Sequence, residues 1–123
     1  MGAGDAVTSV GGCEKSDYSS GLHIEELERA LSGDAPPRLI DIREDHEWER
    51  GHIPGAIHVG RGILERDIGR ITPDRDAEIV LYCGGGYRSA LAARSLQEMG
   101  YRKVYSLFEG WSGWKRAGKP IAK

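Results

Sequence analysis

A short run of apolar residues, Ile79-Val80-Leu81-Tyr82, constrains the fold of this chain more than any other feature of its sequence. The run contains two β-branched residues and no charged one, so it predicts a strand over residues 78–82. A strand that is apolar on both sides belongs in the middle of a parallel sheet, because helices then cover both of its faces.

Other strands and helices alternate with this one along the chain. Apolar residues recur at helical spacing from Ile24 to Leu31, and apolar runs bounded by turn residues predict further strands. The predicted strands are 38–42, 56–59, 78–82 and 103–107, and the predicted helices are 24–31, 44–50, 63–68, 89–99 and 111–117. The alternation indicates an α/β domain with a mostly parallel sheet and helices on both faces. We expect residues 1–20 to be a disordered tail and residues 21–123 to be a single domain.

The charge balance of the chain excludes several classes of function. Its 123 residues include 17 Lys+Arg and 19 Asp+Glu, a formal net charge of −2, so it lacks the basic surface that binds nucleic acid. No stretch approaches the roughly 20 apolar residues of a membrane helix, and no secretory leader is expected. The two cysteines, Cys13 and Cys83, do not make a disulfide framework. These features predict a cytoplasmic protein that is a monomer or at most a weak dimer, without nucleic acid or membrane partners.

Cys83 directly follows the predicted central strand and begins a loop with three glycines. Ligands of parallel sheets bind beyond the carboxyl ends of the strands, which is where this cysteine lies. Glycines let successive N–H groups turn inward as an anion-binding nest, and the helix that starts near Arg88 adds its unpaired N–H groups. Such a field favours the thiolate and lowers the pKa of the thiol below its reference of about 8.5. Cys83 is therefore the candidate nucleophile.

Other interpretations of this loop fit less well. A cysteine at the end of a strand could simply fill space in the core. Ser89 replaces the third glycine of the dinucleotide-binding pattern G-x-G-x-x-G, and the Gly-Lys-Ser/Thr of a Walker loop is absent. A cysteine phosphatase needs C-x5-R, whereas here Arg88 comes one position too early. His46 and His58 have no second ligand at metal-binding spacing, so we expect neither a metal nor another cofactor.

Three segments together resemble the rhodanese-like sulfurtransferases. Leu39-Ile40-Asp41-Ile42-Arg43-Glu44, followed by residues 49–56, is similar to the N-terminal signature of that family. Residues 82–90 are similar to its active-site loop C-x-x-G-x-R-S. Residues 108–114 resemble its C-terminal G-G-W-x-x-W, with Glu109 where glycine is usual. The resemblance covers residues 22–121.

This resemblance implies a single rhodanese domain with a five-stranded sheet and a double-displacement mechanism. Cys83 would take a sulfane sulfur from thiosulfate or a persulfide, hold it as a persulfide, and pass it to cyanide, a thiol or a protein. The substrate-binding residues implied are those of the loop: Gly84, Gly85, Gly86, Tyr87 and Arg88. A non-catalytic binding module is the alternative, and a phosphatase or arsenate reductase fits the loop length less well.

The supporting residues implied are Asp41, Arg43 and Ser89. Asp41 and Arg43 either orient the loop or form a structural ion pair. Arg88 either attracts an anionic donor or pairs with Asp41 or a nearby glutamate. Because positions 84 and 85 carry no cation, the case for thiosulfate as the natural donor is weaker than the case for sulfur transfer itself. His52 is expected to hold backbone groups of its turn rather than to act in catalysis.

Overall fold

The computed structural model describes residues 20–123. The predicted tail, with Cys13, lies outside these residues except for Ser20. Five strands form one sheet in the order β1-β5-β4-β2-β3, and all four pairs of neighbouring strands are parallel. The strands are β1 (Ser20–Leu22), β2 (Arg38–Asp41), β3 (Ile57–His58), β4 (Glu78–Tyr82) and β5 (Lys103–Leu107). The predicted α/β fold with a five-stranded sheet is confirmed.

Helices cover both faces of the sheet. Buried side chains of α3 and α4 pack on one face, and those of α1 and α5 pack on the other. None of the helices within residues 20–123 is long and apolar enough to cross a membrane. The helices are α1 (Ile24–Leu31), α2 (Asp45–Glu49), a 3-10 turn (Arg61–Ile63), α3 (Leu64–Ile71), α4 (Tyr87–Glu98) and α5 (Gly110–Arg116).

Both faces of the central strand β4 are buried, which accounts for its continuous apolar sequence. Ile79 and Leu81 belong to the core beneath α3 and α4, whereas Val80 and Tyr82 belong to the core beneath α1 and α5. Successive side chains of a strand point to opposite faces, so both sets are buried when both faces are covered. The alternation continues past the end of β4 and turns Cys83 into the first of these cores.

The structure departs from the sequence prediction at the edges of the sheet. The residue pattern predicts no strand at residues 20–22, because Ser-Gly-Leu has no strand propensity of its own, and the family resemblance implies only that a fifth strand exists. Strand β1 exists by pairing with β5. Strand β3 has two residues rather than the four predicted. Helix α4 begins at Tyr87, two residues before the predicted start.

Candidate active site

The sulfur of Cys83 lies inside the loop that connects β4 to α4. The residue is fully buried. Its Sγ accepts hydrogen bonds from the backbone N–H of Gly86 at 3.2 Å and from that of Ser89 at 3.4 Å. The hydroxyl oxygen of Ser89 lies 3.6 Å from the same sulfur. The donors therefore converge on one atom from the loop and from the first turn of α4.

These contacts lower the pKa of the Cys83 thiol. Burial alone raises it, since a buried thiolate loses its hydration. The N–H and hydroxyl of Ser89 and the N–H groups of Gly86 and Gly85 act in the opposite direction and outweigh burial. A thiolate that accepts several hydrogen bonds is favoured over the neutral thiol. The site therefore favours the nucleophilic form of the residue.

The three glycines of the loop have different roles. Gly86 adopts a φ of 92°, and a Cβ there would overlap the carbonyl oxygen of Phe108. A Cβ on Gly85 would meet no atom within 4 Å, and one on Gly84 would lie 3.2 Å from a guanidinium nitrogen of Arg88. Neither of these two glycines has a positive φ. Of the three glycines, only Gly86 therefore needs a backbone conformation that favours glycine.

The first turn of α5 holds the carbonyl side of the same loop. The N–H of Trp111 donates to the carbonyl oxygen of Cys83 at 2.8 Å, and that of Ser112 donates to the carbonyl oxygen of Gly84 at 2.9 Å. This contact requires Gly110, whose φ is 62° and whose added Cβ would lie 2.6 Å from the Gly84 oxygen. With the Gly84 carbonyl bonded to α5, the Gly85 N–H on the other side of the same peptide bond faces the sulfur.

Glu109 stands where the signature of the resembled family has a glycine. Its carboxylate contacts the start of α1. One carboxylate oxygen accepts the N–H of Ile24 at 3.2 Å, and the other lies 3.0 Å from Nδ1 of His23. Ile24 begins α1, where N–H groups lack partners within the helix. Glu109 therefore stabilises the start of α1, as an acidic group does at this end of a helix.

Arg88 points across the loop to α2. Its guanidinium lies 3.3 Å from Oε1 of Glu47, and this ion pair raises the pKa of Arg88 and, together with a backbone N–H, lowers that of Glu47 against the opposing effect of burial. Of the two partners expected from the sequence, a nearby glutamate is correct and Asp41 is wrong. The ring of Tyr87 is 80% exposed at the rim of the loop.

Asp41 and Arg43 form a buried ion pair at the end of β2. Nη2 of Arg43 lies 2.8 Å from Oδ2 of Asp41 and donates also to the carbonyl oxygen of Gly51 at 2.7 Å. Both side chains are almost completely buried. Their hydrogen bonds join β2 to the turn at Gly51 and do not reach the Cys83 sulfur.

His52 lies in that turn and makes structural contacts. Its ring stacks on Trp48 with centroids 3.5 Å apart, and Nδ1 lies 3.4 Å from the Trp48 carbonyl oxygen. The next residue, Ile53, donates its N–H to the hydroxyl of Tyr82 at 3.0 Å. The turn is thereby attached to the residue that precedes Cys83.

Ser106 belongs to the site although the sequence analysis did not select it. Its hydroxyl, buried at the end of β5, lies 2.7 Å from the hydroxyl of Ser89. Each hydroxyl has one proton to donate. When Ser89 donates its proton to the ionised sulfur, the hydrogen bond between the two hydroxyls has Ser106 as its donor. A polar residue within the otherwise apolar end of β5 was the one signal that could have identified it.

No group of three or more His, Cys, Asp or Glu side chains within residues 20–123 is arranged to hold a metal ion. The loop itself offers amide hydrogens and one guanidinium, which suit an anion rather than a cation.

Comparison with known proteins identifies the family of this arrangement. The sequence model of the Rhodanese-like domain matches residues 23–117. A sulfurtransferase of Allochromatium vinosum is 35% identical over 81% of this chain and 92% of its own length. The thiosulfate sulfurtransferase GlpE of Shewanella oneidensis is 38% identical over 65% of this chain and 77% of its own length.

Two further similarities extend the comparison. YrkF of Bacillus subtilis, described as a candidate sulfur carrier protein, is 30% identical to this chain. The aligned region covers 85% of this chain but only 57% of YrkF. A protein of known structure and unknown function from Rhodopseudomonas palustris, described as a possible tyrosine phosphatase, superposes with a TM-score of 0.76. That similarity covers 99% of this chain and 98% of the other at 32% identity.

Proposed function

This chain belongs to the rhodanese-like domain family, and we propose that it is a sulfurtransferase that carries sulfur as a persulfide on Cys83. The observation that carries the proposal is the environment of the Cys83 sulfur. Burial raises the pKa of its thiol, but the hydrogen bonds it accepts, among them two backbone N–H groups at 3.2 and 3.4 Å, outweigh burial and lower that pKa. Relatives named as sulfurtransferases support the same reaction class.

The first half-reaction loads the cysteine. The Cys83 thiolate attacks the outer sulfur of a sulfane donor, a bond forms between the two sulfurs, and the former partner of the outer sulfur leaves with the bonding electrons. With thiosulfate the leaving group is sulfite, so a monoanion and a dianion give a persulfide anion and a dianion. No oxidant, metal or additional proton is required.

The loaded cysteine remains anionic and stays among the same hydrogen-bond donors of the loop. Its outer sulfur lies about 2 Å beyond Sγ, towards the loop whose amides face inward. Preorganised N–H groups stabilise such a charge without reorganisation. In the second half-reaction a thiol, cyanide or a protein thiol attacks the outer sulfur and restores the thiolate.

Donor, acceptor and location are also part of this proposal. Arg88 is the one cation of the loop and is engaged with Glu47, so we propose an organic persulfide as well as thiosulfate for the donor. The net charge of −2 favours small-molecule or protein partners over nucleic acid. We propose that residues 21–123 act as a single cytoplasmic domain, as a monomer.

A mass spectrum of the purified protein after exposure to thiosulfate tests the proposal. We expect the protein to gain one sulfur atom, to lose it on addition of cyanide, and to gain none as Cys83→Ser. Because Cys13 is a second thiol, the measurement is made in the Cys13→Ser background.

Two other results would replace the proposal. If no sulfane donor tried, including glutathione persulfide, loads Cys83, the domain is a binding module. If the protein instead releases phosphate from an aryl phosphate, the description of the Rhodopseudomonas palustris relative applies here as well. The position of Arg88, five residues after Cys83, argues against this second result.

A further inference from the structure

A cleft beside the active-site loop has four basic side chains and one acidic side chain in its walls. It has a volume of about 500 Å³, and its walls include Arg50, Lys115, Lys123, Trp111, Ser112 and Gly84, which we call the basic cleft. Pockets that bind small molecules are on the order of 300–1,000 Å³. The basic cleft is therefore large enough for a small metabolite.

Three of the four cations in the basic cleft have no carboxylate partner among residues 20–123. Two further wall residues, Arg43 and Glu47, are already engaged, with Asp41 and Arg88 respectively. Arg50, Lys115 and Lys123 form no salt bridge with any of residues 20–123. On a chain with a net charge of −2, this concentration of cations is local. It favours an anionic ligand.

The basic cleft adjoins the loop that holds the reacting sulfur. Gly84, the residue after Cys83, forms part of its wall and accepts the N–H of Ser112, another wall residue, at its carbonyl oxygen. An anion held by Arg50 and Lys115 is thus bound next to the loop that holds the sulfur.

The chemistry of the walls selects among anions. Arginine binds carboxylates through two parallel N–H donors, and lysine adds a point charge. Ile121, which is 48% exposed, provides apolar surface for a carbon chain. Such walls suit a molecule with carboxylate groups on a short carbon skeleton better than they suit a bare inorganic anion.

We propose that the basic cleft binds the carboxylate of a small thiol that accepts sulfur from Cys83, an inference that rests on the proposed function. The acceptor thiolate attacks the outer sulfur of the Cys83 persulfide. A sulfur–sulfur bond forms on the acceptor, the bond to Sγ breaks, and Sγ leaves as the thiolate. Any proton on the outer sulfur travels with it, and nothing is oxidised or reduced overall.

The preference for a carboxylate is testable without sulfur transfer. Iodoacetate and iodoacetamide alkylate Cys83 with nearly the same shape, and only iodoacetate carries a charge. We compare their rate constants in the Cys13→Ser background for the parent, for the double variant Arg50→Gln/Lys115→Gln, and for the matched control Lys103→Gln. Lys103 is an exposed cation at the amino end of β5. It therefore lies at the opposite end of the parallel strands from Cys83, which follows the carboxyl end of β4.

We expect the iodoacetate-to-iodoacetamide ratio to fall about fivefold in the double variant, the effect of losing two exposed cations. The ratio should be unchanged in Lys103→Gln, and added salt should reduce it in the parent. An unchanged iodoacetamide rate shows that the double variant is folded. A ratio in the double variant equal to that of the parent overturns the proposal.

A second comparison tests the acceptor itself. Persulfide-loaded protein is mixed with 3-mercaptopropionate or with its neutral alcohol analogue. The double variant should lose the preference for the carboxylate, and equal slowing with both thiols overturns the acceptor assignment. If thiosulfate and glutathione persulfide fail to load Cys83, the proposed function fails and the acceptor assignment with it. The alkylation ratio then reports separately on whether the basic cleft binds carboxylates.

Discussion

At the scale of single residues, ionisation of Cys83 depends on a narrow balance. Burying a charge costs several kcal/mol, whereas each hydrogen bond to a charged group returns about 1.5–3 kcal/mol. Donors from Ser89, Gly86 and Gly85 oppose the burial of this sulfur. Removing one donor is therefore enough to shift the balance towards the neutral thiol.

Alanine at Gly86 should disturb this balance, whereas alanine at Gly85 should not. Gly86→Ala places a side chain at φ 92°, where it overlaps the Phe108 carbonyl. The left-handed backbone alone costs about 1–2 kcal/mol, and the backbone shift moves the Gly86 N–H away from Sγ. We expect a pKa rise of at least one unit, which slows alkylation by iodoacetamide near neutral pH about tenfold.

Gly85→Ala is the matched control, since its Cβ would enter open space. It should alkylate at the parent rate. Equal rates for Gly85→Ala and Gly86→Ala would show that the geometry of the loop does not set the ionisation of Cys83.

Some site residues could be predicted from the sequence and others could not. Cys83, its loop and Ser89 are close in sequence and follow a strong strand, so their proximity follows from local structure. Ser106 lies 17 residues from Ser89. Its contact depends on the register between β4 and β5, which residue patterns do not specify.

At the scale of elements, the site is assembled where α5 meets the loop after β4. The third motif of the sequence, residues 108–114, therefore acts on the loop rather than serving only as core. Trp111 and Ser112 bind the carbonyls of Cys83 and Gly84, which orients the peptide planes of the loop. The rings of Trp111 and Trp114 are buried and attach α5 to the sheet.

Gly110→Ala should separate α5 from the loop. Its Cβ would lie 2.6 Å from the Gly84 oxygen and 2.9 Å from the Cys83 oxygen, at a φ of 62°. We expect a loss of about 2–3 kcal/mol in the free energy of unfolding, from left-handed strain plus steric overlap. The pKa of Cys83 should rise, as measured by the pH dependence of alkylation.

Gly118→Ala separates strain from contact, because Gly118 has a similar φ of 71° and no atom within 4 Å of its added Cβ. It should cost about 1 kcal/mol and leave the Cys83 titration unchanged. If Gly110→Ala behaves in the same way, α5 has no effect on the sulfur.

Prediction at the level of elements was accurate in the centre of the sheet and less accurate at its edges. The predicted bounds of β4 and β5 agree with the structure, because both are apolar runs buried by helices. The edge strands β1 and β3 are short, with three and two residues. Their strand conformation comes from pairing with β5 and β2 rather than from composition.

At the scale of the whole molecule, ionisation of Cys83 is linked to folding. The native pKa is lowered, so between that pKa and the unfolded value of about 8.5 the unfolded chain binds a proton that the native protein does not. Stability from this group is therefore fully present above about 8.5 and is lost as pH falls through the native pKa.

Urea unfolding of the parent and of Cys83→Ala over a series of pH values measures this linkage. The difference in their free energies of unfolding should grow as pH rises through the window. Its slope should be at most about 1.4 kcal/mol per pH unit. A difference that is constant or falls with pH contradicts the linkage.

The most direct test of the account is the pH dependence of Cys83 alkylation by iodoacetamide, in the Cys13→Ser background, for native protein and for protein unfolded in urea. We expect a native midpoint clearly below the unfolded midpoint of about 8.5, because hydrogen bonds from Ser89, Gly86 and Gly85 stabilise the thiolate. A native midpoint equal to or above the unfolded one would contradict the account.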